Sequence, residues 1–334
     1  FVFFHNLFQI SINSISLIID DYLIIILICN QFIMSDITKR EINLLSRWKG
    51  SFVGLAIGDQ LGSLVEGKSR GTFDRVTGIM EGSFWTDDTS QALCIADSLI
   101  SKKSLDISDH LDRFSRWLYE GYLSCKEWGY GCGPTARLAI TDYKKYGTPK
   151  PVKDQATNGA LMRLCPVPLF FSENLEEAIL MSGESSKSTH DNPICIDSCR
   201  LYGSMIVKAV RGNDKESILN YDPSLWNDNP LEKTINDVAQ GSFKEKDRSE
   251  IKGTLNISES IEAALWAFDK SSSFAEGALM AVNLGDDADT TAAIFGQLGG
   301  AFYGYESIPN DWKLDLIDRG LVEYLAQSLF DARK

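Results

Sequence analysis

The sequence contains few of the residues that zinc or nucleic acids require of a binding protein. Its 334 residues include only three histidines, and its seven cysteines form no Cys-x-x-Cys pair. Protein zinc sites are built mainly from Cys and His side chains, so a zinc centre is not expected. The 33 basic residues are outnumbered by 46 acidic residues, which gives a net charge of −13. A nonspecific nucleic-acid-binding protein would instead carry a basic surface.

Paired cysteine spacing and long apolar runs are also absent. An odd number of unpaired cysteines favours reduced thiols and a cytoplasmic location. The longest apolar run, YLIIILIC at 22–29, is far shorter than the ~20 residues that span a bilayer. The first 33 residues have no basic segment and no small-residue cleavage site typical of a signal peptide. We interpret 1–33 as a non-native or disordered extension, with a membrane anchor as the alternative, and 34–334 as one domain.

Alternating, strand-like patterns are scarce, and no repeat has a fixed period. Apolar residues recur instead at three- and four-residue spacing, as at 44–56, 92–99 and 261–268. This spacing is typical of amphipathic helices. The polar stretch 211–256 predicts a mobile surface excursion. The fold class that follows is all-α, a single multi-helix domain.

Two acidic motifs stand where apolar helical patterns begin: WTDDT at 85–89 and GDDADTT at 285–291. Thr86 is well placed to cap the first of these helices, and capping together with interaction with the helix dipoles explains part of this pattern. If the two helix starts face each other, their carboxylates repel unless cations intervene. Carboxylate and hydroxyl oxygens suit Mg²⁺, Mn²⁺ or Ca²⁺, and two such ions could activate a water molecule. The oxygen-bearing candidates are Thr86, Asp87, Asp88, Asp287, Asp289 and Thr290.

Glycines mark several other segments. Gly296, Gly300 and Gly304 recur every fourth residue after the second acidic motif, which indicates a buried central helix packed closely against its neighbours. The stretch GLAIGDQLGSLVEG, 54–67, predicts a helix that ends near Gly58 and a turn that carries Glu66. The loop WGYGCGPTAR, 128–137, could bring backbone N–H groups to phosphate oxygens, although glycine-rich turns are usually only turns.

Six segments, taken together in chain order, resemble the ADP-ribosylglycohydrolase family. They are GLAIGDQLG with the following Glu, WTDDT, GYGCG, TNGALMR, THDNP and GDDADTTAAIFGQLGGAFYG. The resemblance covers about residues 48–305. It implies a compact orthogonal bundle of helices of the ADP-ribosylglycohydrolase type, with two Mg²⁺ or Mn²⁺ ions. It also implies hydrolysis of the bond between C1″ of ADP-ribose and an acceptor.

The resemblance further implies roles for particular residues. The metal ligands are Thr86, Asp87, Asp88, Asp287, Asp289 and Thr290. Glu66 matches a glutamate on a mobile loop that approaches the metals, and Glu66 and Asp88 are the candidate catalytic residues. The residues expected to line the ADP-ribose cleft are Gly129, Gly131, Asn158, Gly159 and His190. Asp286 and Gln60 depart from the family pattern, and we take Asp286 as a neighbour of the metals and not a ligand.

The chemistry implied is hydrolysis through an oxocarbenium-like transition state. The cations would orient the ribose hydroxyls and lower the pKa of a bound water, while Glu66 handles its proton. The expected partner is an ADP-ribosylated protein or small molecule, with no nucleic acid and no membrane, and a monomer is expected. The acceptor and the choice between Mg²⁺ and Mn²⁺ stay open. The alternatives are a non-catalytic ADP-ribose-binding protein and a metal-dependent phosphohydrolase.

Overall fold

The structure, a computed structural model, describes residues 39–333. The division expected between residues 33 and 34, and the alternative of a membrane anchor before it, lie outside the described residues. The chain divides into two units, Phe1–Leu44 and Leu45–Lys334. In the first unit, 39–44 are helical. Apart from the beginning of helix α1, the elements described below lie in the second unit.

The described part of the chain is built from fourteen α-helices and contains no β-sheet, which confirms the all-α fold class. The helix α1 is described over 39–62. The others are α2 (Asp87–Lys102), α3 (Ile107–Glu120), α4 (Pro134–Tyr146), α5 (Pro166–Phe170), α6 (Leu175–Ser186), α7 (Pro193–Val210), α8 (Lys215–Leu219), α9 (Lys233–Ala239), α10 (Ile257–Lys270), α11 (Phe274–Val282), α12 (Ala288–Tyr303), α13 (Asn310–Asp315) and α14 (Arg319–Ala332). Within residues 39–333, no helix is long and apolar enough to cross a membrane.

Local chemistry sets many of the helix boundaries. The Asp106 side chain accepts a hydrogen bond from the Asp109 backbone N–H at 3.0 Å and so caps the start of α3. The same helix ends at Gly121, whose φ of 72° is a left-handed conformation that glycine adopts without strain. Asn192 caps α7 in the same way through the Ile194 N–H. These caps satisfy backbone groups that a helix end leaves without partners.

Two segments differ from the expectation drawn from the sequence. The helix α1 does not end near Gly58 but continues to residue 62, because the glycines that suggest a turn face a neighbouring helix instead. The stretch 211–256, expected to be a mobile surface excursion, contains α8, α9 and a 3₁₀ turn at Pro223–Trp226. Trp226 is only 4% exposed. Its burial fixes this polar stretch to the body of the domain.

The helix α12 lies at the centre of the fold, as the glycine pattern predicts. All its residues from Ala288 to Ala301 are buried. It packs against α1 at backbone-contact distance: a β-carbon placed on Gly54 would lie 2.3 Å from the carbonyl oxygen of Gly296. One placed on Gly300 would lie 1.9 Å from the Gly50 carbonyl oxygen. Glycine is unfavourable inside a helix by about 1 kcal/mol, and here the close approach of the two helices requires it.

We predict that Gly54→Ala destabilises the protein by roughly 2 kcal/mol or more, because the added methyl group forces the backbones of α1 and α12 apart. Equilibrium urea unfolding measures the effect. Gly320→Ala is the matched control: Gly320 also lies in a helix, but a β-carbon there meets no atom within 4 Å. The control should be neutral or slightly stabilising. Equal effects of the two substitutions would contradict the proposed packing constraint.

Candidate functional site

The two acidic motifs face each other at the N-terminal ends of α2 and α12. The Thr290 hydroxyl of one motif lies 3.5 Å from Asp88 Oδ2 of the other, and the Thr86 hydroxyl donates to the same oxygen at 3.2 Å. Asp87 and Asp88 occupy the first turn of α2, while Asp287 immediately precedes α12. The six expected ligands, Thr86, Asp87, Asp88, Asp287, Asp289 and Thr290, are all between 1% and 7% exposed.

The carboxylates fall into two groups that could each hold a cation. Asp59, Asp88 and Asp289 form one group, and Glu66, Asp287 and Asp289 form the other. Within each group the contributing oxygen atoms lie within 4.8 Å of one another. Asp289 belongs to both groups and therefore lies between two positions for positive charge. Oxygen donors of this kind are the ligands that Mg²⁺, Mn²⁺ and Ca²⁺ prefer.

Asp59 is the site residue that the sequence analysis missed. Its carboxylate accepts hydrogen bonds from the backbone N–H groups of Thr86 and Thr89 and from the Thr89 hydroxyl, at 2.6–3.0 Å. Asp59 therefore caps α2 from a different helix, and the Thr86 side chain makes no capping hydrogen bond. The expectation that Thr86 caps α2 is wrong because its hydroxyl turns toward Asp88. The available signal was a single carboxylate inside the apolar stretch GLAIGDQLG.

Burial and mutual repulsion make this acidic cluster unfavourable without a cation. Burial, and then the neighbouring carboxylates, raise the pKa values of Asp88 and Asp289 well above the usual range. Burial also raises the pKa of Asp59 to about 6 and that of Asp287 to about 6. The Oδ1 atom of Asp88 is buried and has no hydrogen-bond partner. A bound cation would satisfy this oxygen and offset the repulsion, so the residues present fit a divalent metal.

The cluster lies at the floor of a cleft of about 570 Å³, a volume typical of small-molecule sites. Four of the five residues expected to contact ADP-ribose line this cleft: Gly131, Asn158, Gly159 and His190. Asn158 also donates to Asp287 Oδ2 at 2.5 Å, and a β-carbon on Gly131 would lie 2.8 Å from Asp87 Oδ1. The structure does not bring Gly129 to the cleft. Gly129 packs against the Leu118 backbone, where a β-carbon would lie 2.6 Å from its Cα.

Glu66 lies exposed in the segment that follows α1. The loss of surrounding water raises its pKa. The segment is tied to the second acidic motif by reciprocal backbone hydrogen bonds, from Gly67 N–H to the Asp286 oxygen at 2.7 Å and from Asp286 N–H to the Lys68 oxygen at 2.8 Å. Asp286 itself has φ 57° and belongs to neither carboxylate group. Its role in the described structure is thus to hold the Glu66 segment through its backbone.

Arg70 strengthens the same connection. Its guanidinium donates to three backbone carbonyl oxygens, those of Leu284, Arg248 and Ile251. The chain beyond Ile251 continues to Gly253, whose carbonyl oxygen accepts from Asp287 N–H at 2.8 Å. Since arginine offers several donors in a rigid plane, one side chain can join these segments. Arg70 thereby links the segment that carries Glu66 to the residues just before Asp287 and to the segment 251–253 that contacts Asp287.

The fold and the site define an all-helical hydrolase with an acidic centre at the floor of a ligand-sized cleft. The chain belongs to the ADP-ribosylglycohydrolase family, whose sequence profile matches residues 40–334. ADP-ribosylarginine hydrolase Tri1 of Serratia proteamaculans is 34% identical over 299 residues, which cover 87% of this chain and 80% of that protein. ADP-ribosyl-[dinitrogen reductase] glycohydrolase of Rhodospirillum rubrum is 30% identical and covers 80% of this chain and 90% of its own length.

A solved structure described as an ADP-ribosylglycohydrolase-related protein complex matches the fold with a TM-score of 0.76 and 34% identity. The match covers 87% of this chain and 99% of that chain. The expected bundle type is therefore confirmed, and so is the assignment of the chain to this class of hydrolases.

We predict that a divalent cation stabilises the protein more at pH 8 than at pH 5. The pKa values of Asp59 and Asp287 rise from 3.8 to about 6 on folding, so the folded state binds protons more tightly than the unfolded chain. In EDTA, the free energy of unfolding therefore falls as the pH rises from about 4 through 6. Mg²⁺ should reverse this loss, with little effect at low pH, where protons compete for the same oxygens.

Thermal unfolding with Mg²⁺ and with EDTA at each pH measures this difference. In Asp88→Asn the Mg²⁺-dependent rise in Tm should be much smaller, because a ligand shared by the cluster loses its charge. An equal rise at both pH values, or none at either, would contradict the assignment of the cluster to a cation.

We predict that Arg70→Ala speeds amide hydrogen exchange at Gly67 and Asp286 by about tenfold, because the segment that carries Glu66 loses its side-chain anchor. Exchange within α12 should not change. Arg75→Ala is the matched control, since Arg75 is exposed in the same segment. Unchanged exchange in Arg70→Ala would show that the backbone pair alone holds the segment.

Proposed function

We propose that the protein removes ADP-ribose from arginine residues of modified proteins by hydrolysing the N-glycosidic bond at C1″. The observation that carries this proposal is the convergence of both acidic motifs on Asp88, whose Oδ1 has no hydrogen-bond partner, beside a cleft that Asp87 and Asp289 line. Arginine is favoured as the acceptor because a relative at 34% identity over most of this chain is an ADP-ribosylarginine hydrolase. The proposed cofactor is a pair of Mg²⁺ or Mn²⁺ ions.

The proposed ligands are the carboxylates of Asp87, Asp88, Asp287 and Asp289 together with the hydroxyls of Thr86 and Thr290. Asp289 belongs to both carboxylate groups and could therefore help to hold an ion at either of them. When bound, such ions supply positive charge that orients ribose hydroxyls and lowers the pKa of a water molecule. Asp59 would lie next to these ligands and remain the cap of α2, since its oxygens already accept several hydrogen bonds there.

Glu66 is the proposed general base. It is exposed at the cleft, and its pKa is raised, as is common for a carboxylate that exchanges protons near neutral pH. Its group partners Asp287 and Asp289 are buried, whereas Glu66 can reach a molecule in the cleft. Water attack at C1″ would transfer a proton to Glu66 while the bond to the acceptor nitrogen breaks. Asp88 would act in catalysis through the charge that its carboxylate contributes at the reacting centre.

The start of α4 is the proposed position of the pyrophosphate. Gly133, Pro134, Thr135 and Ala136 line the cleft at the N-terminal end of this thirteen-residue helix. A helix N-terminus presents free N–H groups and a partial positive charge, which favour phosphate oxygens. In a protein of net charge −13, such local backbone groups are needed to hold an anionic ligand.

We predict that the protein releases ADP-ribose from ADP-ribosyl-arginine in the presence of Mg²⁺ and not in EDTA. Asp289→Asn should lower kcat/KM by on the order of 100-fold or more, because it alters both carboxylate groups. Asp286→Asn is the matched control: it makes the same change three residues away, in a side chain that belongs to neither group. Chromatography of the nucleotide products measures both activities.

The products also distinguish the alternatives. Release of AMP together with phosphoribosyl-arginine, in which the bond at C1″ is intact, would identify a phosphohydrolase. Calorimetric binding of ADP-ribose without turnover of ADP-ribosyl-arginine would contradict the arginine assignment and favour another acceptor or a non-catalytic binding protein.

A further inference from the structure

Arg163 is fully buried behind the cleft, yet no carboxylate pairs with it among the described residues. It donates to the side-chain oxygen of Gln91, and to the hydroxyls of Ser188 and Thr189 at 3.1 and 2.6 Å. Its guanidinium also lies 4.6 Å from the centre of the Phe114 ring. Arginine can only donate hydrogen bonds. Each atom that it contacts must therefore act as an acceptor toward it.

This property fixes the direction of hydrogen bonding on the Asp87 side. Because the Gln91 oxygen accepts from Arg163, the Gln91 amide nitrogen is free to donate. It lies 3.4 Å from Asp87 Oδ2. Arg163 thus orients an uncharged donor toward a metal-ligand carboxylate without contacting that carboxylate itself.

Arg163 also fixes the direction of hydrogen bonding along the wall of the cleft. The Thr189 oxygen accepts from Arg163, so its own proton goes to the remaining partner, His190 Nδ1, at 2.6 Å. His190 Nδ1 is then an acceptor, and the imidazole proton resides on Nε2. His190 Nε2 lies 2.9 Å from the Thr157 hydroxyl, to which it donates.

The remaining hydroxyls continue in the same direction. Thr157 donates to Thr135 at 3.1 Å, and Thr135 donates to the Gln155 side-chain oxygen at 2.7 Å. Every hydroxyl in this series accepts one hydrogen bond and donates one. Each hydroxyl and imidazole proton of this series therefore has an acceptor, and the directions of the hydrogen bonds agree with one another from Arg163 to the exposed Gln155.

We infer that Arg163 is a positioning residue that fixes both the Asp87 carboxylate and the cleft wall, and that it holds His190 as the neutral tautomer with its proton on Nε2. His190 is then a fixed hydrogen-bond donor of the wall and not an acid–base catalyst. Burial and the nearby Arg163 charge lower the pKa of His190 to about 3, which agrees with a neutral ring. The inference concerns the site of the proposed function, but its first test does not depend on activity.

Nitrogen NMR of the histidine rings tests the tautomer directly, and the chain contains only three histidines. The wild-type protein should show His190 with a protonated Nε2 and a bare Nδ1, unchanged from pH 5 to 8. A protonated Nδ1, or a doubly protonated ring at neutral pH, would overturn the inference. This measurement needs no substitution in the core and therefore no assumption that a variant folds.

Two isosteric substitutions separate the two sides of Arg163. Thr189→Val removes the hydroxyl that accepts from Arg163 and donates to His190, so the His190 ring should become a mixture of tautomers. The KM should rise by about three- to tenfold, with little change in kcat. Gln91→Leu should leave the tautomer unchanged and weaken Mg²⁺ binding, followed by calorimetry, by about tenfold. Ser188→Ala is the control, because it removes an Arg163 contact outside both paths.

Arg163→Met should combine both effects. A single tautomer retained in both Thr189→Val and Arg163→Met would overturn the inference, as would unchanged Mg²⁺ affinity in Gln91→Leu. If the wild-type protein released no ADP-ribose but gave the expected NMR and Mg²⁺ results, the proposed function would fail while the positioning role would stand.

Discussion

The backbone contact between α1 and α12 is the constraint on which the site depends. Glycines at every fourth position of α1 bring it within contact of α12, and at the last of them a β-carbon on Gly62 would lie 2.2 Å from Asp289 N. This contact places Asp59 beside the start of α12, and Glu66 follows four residues after Gly62. A pair of helices at an ordinary separation of 8–10 Å would hold these carboxylates farther apart. The close packing thus converts distant sequence positions into one acidic centre.

The acidic centre in turn carries unfavourable electrostatic energy that bound protons or a bound cation relieve. Its carboxylates are buried, their pKa values are raised by burial and mutual repulsion, and one oxygen of Asp88 has no partner. A protein that needed these residues only for helix capping would not bury them together, because a single carboxylate satisfies a helix end. Asp59 already performs that capping role for α2. The remaining acidic residues are therefore available for chemistry, which agrees with membership in a family of glycohydrolases.

The fold class and the two acidic motifs follow from the sequence, because both are local in origin. Helical periodicity is visible within a dozen residues, and each acidic motif contains its own oxygen donors. Asp59 was missed because its significance arises only when α1 meets α2, 27 residues further along the chain. Gly129 does not reach the cleft for a related reason: within the loop 128–137, only residues 131–136 line it. Long-range contacts decide such positions, and spacing in a single sequence does not encode them.

The two sides of the cleft differ in their charge and in the interactions that hold their side chains in place. On the metal side, negative charges are concentrated, and the rigidity of α1 and α12 keeps them from separating. On the opposite wall, hydroxyl, amide and imidazole groups are neutral and form one directed series of hydrogen bonds from a buried arginine. A neutral wall adds no positive charge that would pair with the carboxylates, and its fixed hydrogens cost no reorganisation when a ligand enters. Glu66 alone is exposed, on a segment fastened by Arg70 at one end of the site. We propose that proton transfer falls to Glu66, because it is the exposed carboxylate among those that line the cleft.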